Sequence, residues 1–134
     1  MTFVLDTDVC SYLVKRSHPA LIERVREFAP RELKVSVVTL YELEYGIHRS
    51  GRPEPLRRVV EAFLGNLEIL PWTAGAATEA AAVRAELVAA GNPIGAHELL
   101  IAGHARSLGA TLVTHNLREF SRVAGLRLAD WAAG

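Results

Sequence analysis

Three carboxylates stand where carboxylates are awkward: Asp6 behind the apolar run Phe3-Val4-Leu5, Glu42 between Leu40 and Leu43, and Glu98 ahead of Leu99-Leu100-Ile101. Brought together, such groups repel one another and persist only where positive charge compensates them. A hard divalent cation, Mg2+ or Mn2+ with water completing its shell, suits an all-oxygen donor set. It supports activation of a water molecule and stabilisation of charge on a phosphodiester oxygen. Each acid also has a plain structural role open to it. Asp6 can cap the helix that follows. Glu42 can pair with an arginine on an exposed face, and Glu98 can complement the positive end of its own helix.

The elements that must position these acids follow from the hydrophobic pattern. Residues 2–5 read as a buried parallel strand ending at Asp6, and Asp6-Thr7-Asp8 supplies cap residues for the next helix. Pro19 opens a second helix whose spacing (Leu21, Ile22, Val25, Phe28) carries on to Pro30. A strand is expected at 33–37, then a helix capped by Thr39 with Leu40, Leu43 and Ile47 on one face and Gly51 as its stop. Pro53 and Pro55 open a helix to about residue 64, and a third strand occupies 67–70. Long alanine-rich and shorter helices are expected at 73–90 and 96–108, a fourth strand at 111–114, a short turn or helix near 117–120, and an edge strand at 126–128. Strands alternating with helices give an α/β class: a three-layer α/β/α arrangement with a short parallel sheet of four or five strands, in a single domain over residues 1–134. Function in such sheets sits beyond the carboxyl ends of the strands, where strand order switches. Asp6, Thr114 and Asn116 all fall at strand ends and are candidates for one crevice.

Composition narrows the class. The chain has 134 residues, half of them hydrophobic, enough for a real core, and no apolar stretch reaches membrane-spanning length. Asp6 and Asp8 interrupt the only apolar stretch near the N-terminus, which argues against a secretory signal. The lone Cys10 excludes an internal disulfide, points to a reducing cytoplasm and reads as a small buried side chain. Net charge is zero, so no bulk electrostatic argument for nucleic acid exists. Thirteen of the fifteen basic residues are nevertheless arginine, the side chain suited to bidentate phosphate contacts. Among them, Arg49, Arg52, Arg57 and Arg58 are candidates for phosphate contact or for a solvated helix face. His97 and His104 read as surface or packing residues, His115 flanks the crevice, and Trp72 and Trp131 read as packing anchors.

Four segments resemble, in order and spacing, the motifs of PIN-domain ribonucleases: Leu5-Asp6-Thr7-Asp8-Val9, Thr39-Leu40-Tyr41-Glu42-Leu43-Glu44-Tyr45-Gly46, Ile94-Gly95-Ala96-His97-Glu98-Leu99-Leu100, and Val113-Thr114-His115-Asn116 with Glu119-Phe120 and Asp130-Trp131 behind it. The likeness spans the whole chain and is greatest to the VapC toxins of type II toxin–antitoxin pairs. The resemblance implies a metal-dependent endoribonuclease in which Asp6, Glu42 and Glu98 bind Mg2+ or Mn2+ and position the attacking water. Thr7 and Thr114 would tune the site through their hydroxyls, and Asn116 would fill the fourth polar position. It also implies a structured RNA substrate with a transfer RNA foremost, a homodimer, a VapB-type antitoxin as partner, and DNA contact only through that antitoxin. One departure stands out. The family carries aspartate where this chain has Glu98, and the extra methylene moves the carboxylate by roughly 1.5 Å. A catalytically impaired PIN-like module acting through antitoxin or RNA binding is therefore the second reading. A third, a haloacid-dehalogenase-type phosphatase using Asp6 as nucleophile and Asp8 as acid/base, lacks its downstream lysine and late acidic pair.

Overall fold

The computed structural model describes residues 1–133. Its elements are β1 (Phe3–Leu5), α1 (Thr7–Lys15), α2 (Pro19–Val25), a 3-10 turn at Pro30–Glu32, β2 (Leu33–Ser36), α3 (Val37–Arg49), α4 (Pro53–Leu64), β3 (Glu68–Leu70), α5 (Ala74–Ala89), α6 (Ala96–Ser107), β4 (Thr111–Val113), α7 (Leu117–Phe120) and β5 (Arg127–Ala129). The strands form one parallel sheet in the order β3-β2-β1-β4-β5. The edge strand is real: Arg127 pairs with Thr111 and Ala129 with Val113, so the sheet takes its five-strand form.

Alternation along the strands sends side chains to opposite layers. Phe3, Leu5, Val35 and Val113 join a core with Val9, Leu21, Leu43, Ile47 and Val60 from α1 to α4. Val4 and Leu112 join the other, with Val83, Leu87, Ile101 and Phe120 from α5 to α7. This is the three-layer α/β/α arrangement. The chain steps outward from β1 to β2 and β3, then returns to lay β4 on the other flank of β1. That reversal opens a crevice beyond the carboxyl ends of β1 and β4, where Asp6 and Thr114 lie. Among the described residues, no helix is long and apolar enough to cross a membrane.

Two expected boundaries move by more than one residue. α3 starts at Val37, not after Thr39, because Ser36 Oγ accepts from Val38 N at 3.1 Å and caps the helix. The β-branched run Val37-Val38-Thr39 suggests a strand continuing, and the serine cap overrides it. Thr39 lies buried inside the helix. α2 ends at Val25, because Phe28 leaves helical register to stack on Trp131 (ring centroids 4.7 Å apart) and meet Phe3.

The helices α5 and α6 press together through small residues. A Cβ added at Gly103 would stand 2.5 Å from Ala80 Cα and 2.8 Å from Ala80 N, against backbone rather than a movable side chain. Gly103→Ala is therefore expected to destabilise the fold by about 1–3 kcal/mol, read as a lower urea midpoint at unchanged slope. Arg106 ties the same two helices, its Nε 2.6 Å from Glu79 and its Nη1 2.9 Å from Glu86.

Candidate metal and catalytic site

Asp6 is the most constrained of the acids. It is 3% exposed, and its Oδ1 accepts from Val9 N at 2.8 Å. It thus caps α1 with one oxygen, and the cap does not take it out of the cavity's lining. Burial pushes its carboxyl up to about 6; the Thr114 side chain and the Val9 amide oppose this, while Asp8 and Glu98 add to it. An acid held this way gains from a cation more than an exposed one does.

Glu42 is held at both oxygens. Thr7 Oγ1 donates to Oε1 at 2.5 Å, and His97 Nδ1 lies 3.1 Å from Oε2. Since the Thr7 proton is spent on Glu42, the Thr39 hydroxyl, 3.1 Å away, is the donor to Thr7. The buried Thr39 thus stands behind Thr7, and Thr7 behind Glu42.

Glu98 occupies the third position of α6 and turns back over Gly95, the residue that precedes the helix. A Cβ on Gly95 would fall within the carboxylate of Glu98, 2.9 Å from its Cδ. Gly95 has an ordinary φ of −58°, so glycine is needed here for space, not for backbone freedom. Its N–H donates to Glu119 Oε1 at 2.5 Å. Glu119 Oε2 in turn accepts from Asn116 Nδ2 at 2.9 Å, while Asn116 Oδ1 accepts from Glu119 N at 3.3 Å and so caps α7. Thr114 Oγ1, buried, accepts from Asn116 N at 2.9 Å.

Asp6, Thr7, Asp8, Glu42, Glu98 and Asn116 line one cavity of about 30 Å3, room for a water-sized ion. Five of the six residues expected in the site therefore meet there, and the sixth, Thr114, anchors Asn116 from below. The donor set is all hard oxygen, which fits Mg2+ or Mn2+. The acids surround the cavity without closing on one point: among the described residues, no three His, Cys, Asp or Glu side chains already stand in metal-holding geometry.

His97, expected only as a surface or packing residue, and Glu119, expected in no site role, both bond to residues of the site. Glu119 carries a readable signal, an Asn-x-x-Glu spacing at a helix start. His97 carries none, because its partner Glu42 is 55 residues away on another helix. Losing a group that orients a metal ligand costs on the order of 10- to 100-fold in metal affinity. His97→Ala is expected to weaken Mn2+ binding by that much in isothermal titration with the melting temperature unchanged. His97→Asn, whose amide nitrogen can take the place of Nδ1, is expected to keep most of the affinity.

The other candidates fall outside the cavity. His104 is buried, with its Nδ1 2.8 Å from Ser36 Oγ. Burial lowers its pKa, so it is neutral and accepts the Ser36 proton, tying α6 to the start of α3. His115 pairs with Asp130 at 3.0 Å, and Arg57 donates from Nη1 alone to both carboxylate oxygens of Glu44, at 3.1 and 3.0 Å. Cys10 is buried and its thiol pushed well above its ordinary pKa, which leaves it inert. Trp131 is buried as an anchor, whereas Trp72 is partly exposed, edge-on to His104.

The PIN domain family matches residues 3–126. The tRNA(fMet)-specific endonuclease VapC of Shigella flexneri is 42% identical over 132 residues, covering 98% of this chain and 99% of that relative. Ribonuclease VapC2 of Haemophilus influenzae is 39% identical over 131 residues, 98% of each chain. Among solved structures, DNA-bound VapBC from Salmonella typhimurium superposes with a TM-score of 0.93 at 41% identity, over 98% of each chain. VapBC2 from Rickettsia felis, bound to a promoter DNA fragment, gives 0.92 at 33% identity over 98% of this chain and 99% of that one. These matches leave the phosphatase alternative without support. The carboxylate-lined crevice beyond β1 and β4 is that of a nuclease family, and the chain belongs to the PIN-domain VapC ribonucleases.

Proposed function

We propose that this chain is a divalent-metal-dependent endoribonuclease in which Asp6, Glu42 and Glu98 hold Mg2+ or Mn2+ and position the attacking water. The observation that carries this is the meeting of three acids from α3, α6 and the end of β1 on one cavity of about 30 Å3. Divalent-metal dependence is general among PIN-domain nucleases. The bound ion would supply activation of water and stabilisation of charge on the phosphodiester. The chain's own part is positional. Asp6 contributes a carboxylate that burial has primed for a cation, Thr7 and His97 fix both oxygens of Glu42, and Thr114 and Glu119 hold Asn116 at the rim.

Transfer RNA is the proposed substrate, and the initiator tRNA in particular, because the relatives from Shigella flexneri and Salmonella typhimurium named for that specificity share 42% and 41% of this sequence. A VapB-type antitoxin is the proposed partner, with a homodimer as the assembly and DNA contact through the antitoxin, in line with the DNA-bound VapBC structures. The proposed setting is the cytoplasm, where the single Cys10 stays reduced. Glu98 in place of aspartate is proposed to lower activity. Glu98→Asp should then raise metal-dependent cleavage, by an amount bounded by the roughly hundredfold that a 1 Å misplacement costs. Equal or lower activity in the aspartate form would count against the ligand role.

The deciding experiment incubates the protein with tRNA(fMet) and an elongator tRNA in Mg2+, Mn2+ or EDTA. The expected result is a cut in tRNA(fMet) alone, present with either metal and absent in EDTA. No cleavage together with no Mn2+ binding by calorimetry would return the impaired module as the better reading.

A further inference from the structure

A groove of about 520 Å3 adjoins the acid cavity, and Thr7, Asp8 and Glu42 line both. Tyr41, Tyr45 and Arg49 also line it, spaced four residues apart on α3. That spacing puts them on one face of the helix, about 6 Å apart along its axis. Both tyrosines are 60% exposed, while the residues α3 buries are Thr39, Leu43 and Ile47. The stripe is therefore not core. Arg49 stands 5.6 Å from the centre of the Tyr45 ring, Tyr41 meets His97 edge-on at 5.4 Å, and Lys15 from α1 lines the same groove.

From this we infer a track for single-stranded RNA leading away from the acid cavity: bases stack on Tyr41 and Tyr45, and Arg49 with Lys15 takes a phosphate. The inference rests on the ribonuclease function proposed above and names how that site holds its substrate. Tyrosine faces accept any base, and cations placed beyond them hold the backbone, which is how single strands are bound without sequence readout. The acid end repels phosphate, so cations at the far end of the groove supply the attraction the cavity cannot. Tyrosine and arginine also favour protein interfaces. RNA is favoured here because the groove opens directly into the cavity where the proposed cleavage takes place. Arg57, bound to Glu44, takes no part.

The test measures binding of a short, fluorescently labelled single-stranded RNA of mixed sequence to the full chain in EDTA. Tyr45→Ala is expected to weaken binding about 5- to 150-fold, the usual range for one base–aromatic stack, and Tyr45→Phe to restore it. Arg49→Gln is expected to reduce the slope of log Kd against log salt by about 0.7, the loss of one phosphate contact on a single strand. In cleavage assays Tyr45→Ala should raise KM and leave kcat in place. Wild-type RNA affinity in both Tyr45→Ala and Tyr41→Ala overturns the track. So does a result in which those variants keep RNA affinity and lose inhibition by a VapB antitoxin, which makes the stripe a protein dock. A wild-type protein that neither binds nor cuts RNA removes the ribonuclease reading as well; one that cuts while the variants match it removes the track alone.

Discussion

Asp6→Asn is expected to abolish metal-dependent RNA cleavage and, without metal, to make the protein more stable near neutral pH. Asparagine keeps the shape of the side chain and the oxygen that accepts from Val9 N, so the cap on α1 survives. What disappears is a carboxylate buried to 3% exposure whose pKa is pushed up to about 6 from 3.8. Because the folded state holds that proton more tightly than the unfolded chain, the wild-type contribution to stability is fullest below about pH 4 and is lost as pH rises through 6. A shift of about two pH units corresponds to about 3 kcal/mol lost at neutral pH and above. The asparagine variant does not titrate at residue 6, and the acids that do not act on Asp6 cancel in the comparison. Urea unfolding of both proteins in EDTA should show the variant gaining on the wild type by that amount between about pH 4 and pH 7. Mn2+ at a hundred times its Kd should then return about 2.7 kcal/mol to the wild type and nothing to the variant. A stability difference that does not change with pH would overturn the raised carboxyl, and equal stabilisation of both by Mn2+ would remove Asp6 from the metal site.

The cost carried by Asp6 was readable in outline from the sequence. An aspartate following Phe3-Val4-Leu5 at the end of a buried strand has few ways to stay solvated, and a parallel sheet places strand ends beside its switch point. Glu42 and Glu98 were readable as acids in apolar helical company. Their convergence rests on contacts that sequence spacing does not encode. Ser36 both caps α3 and donates to the buried His104 of α6, which fixes the two acid-bearing helices to one another across 68 positions of chain. The misplaced start of α3 has the same origin: Ser36 looks like the end of a strand, and its cap role is settled by the backbone geometry. His97 is the clearest miss. A histidine beside an acid near a helix start has no periodic signature, and only the packing of α6 on α3 delivers it to Glu42. Glu119 is the opposite case, since its spacing from Asn116 fits a helix start, and the further bond to Gly95 N turns a local cap into a brace between α6 and the β4–α7 turn.

Gly95 and Glu98 are expected to be strongly coupled. The carboxylate of Glu98 lies where a Cβ on residue 95 would go, so the notch left by glycine takes up part of the length that glutamate has over aspartate. Gly95→Ala closes the notch and drives the carboxylate outward. A displacement of about 1 Å at a catalytic group costs on the order of a hundredfold in kcat, which is the loss expected in the wild-type background. Stability should not follow. The φ of −58° suits alanine, the atom displaced is the far end of a flexible side chain, and replacing glycine at a compatible position commonly stabilises by about 0.4–1 kcal/mol. Melting temperature should therefore hold or rise while kcat falls. In the Glu98→Asp background the shorter side chain has no need of the notch, and Gly95→Ala should cost little. A double-mutant cycle in kcat reads this coupling directly. Equal losses in the two backgrounds would show that Gly95 acts by another route, for which Glu119 is the available one, its Oε1 being 3.5 Å from the same Cβ position and bonded to the Gly95 amide.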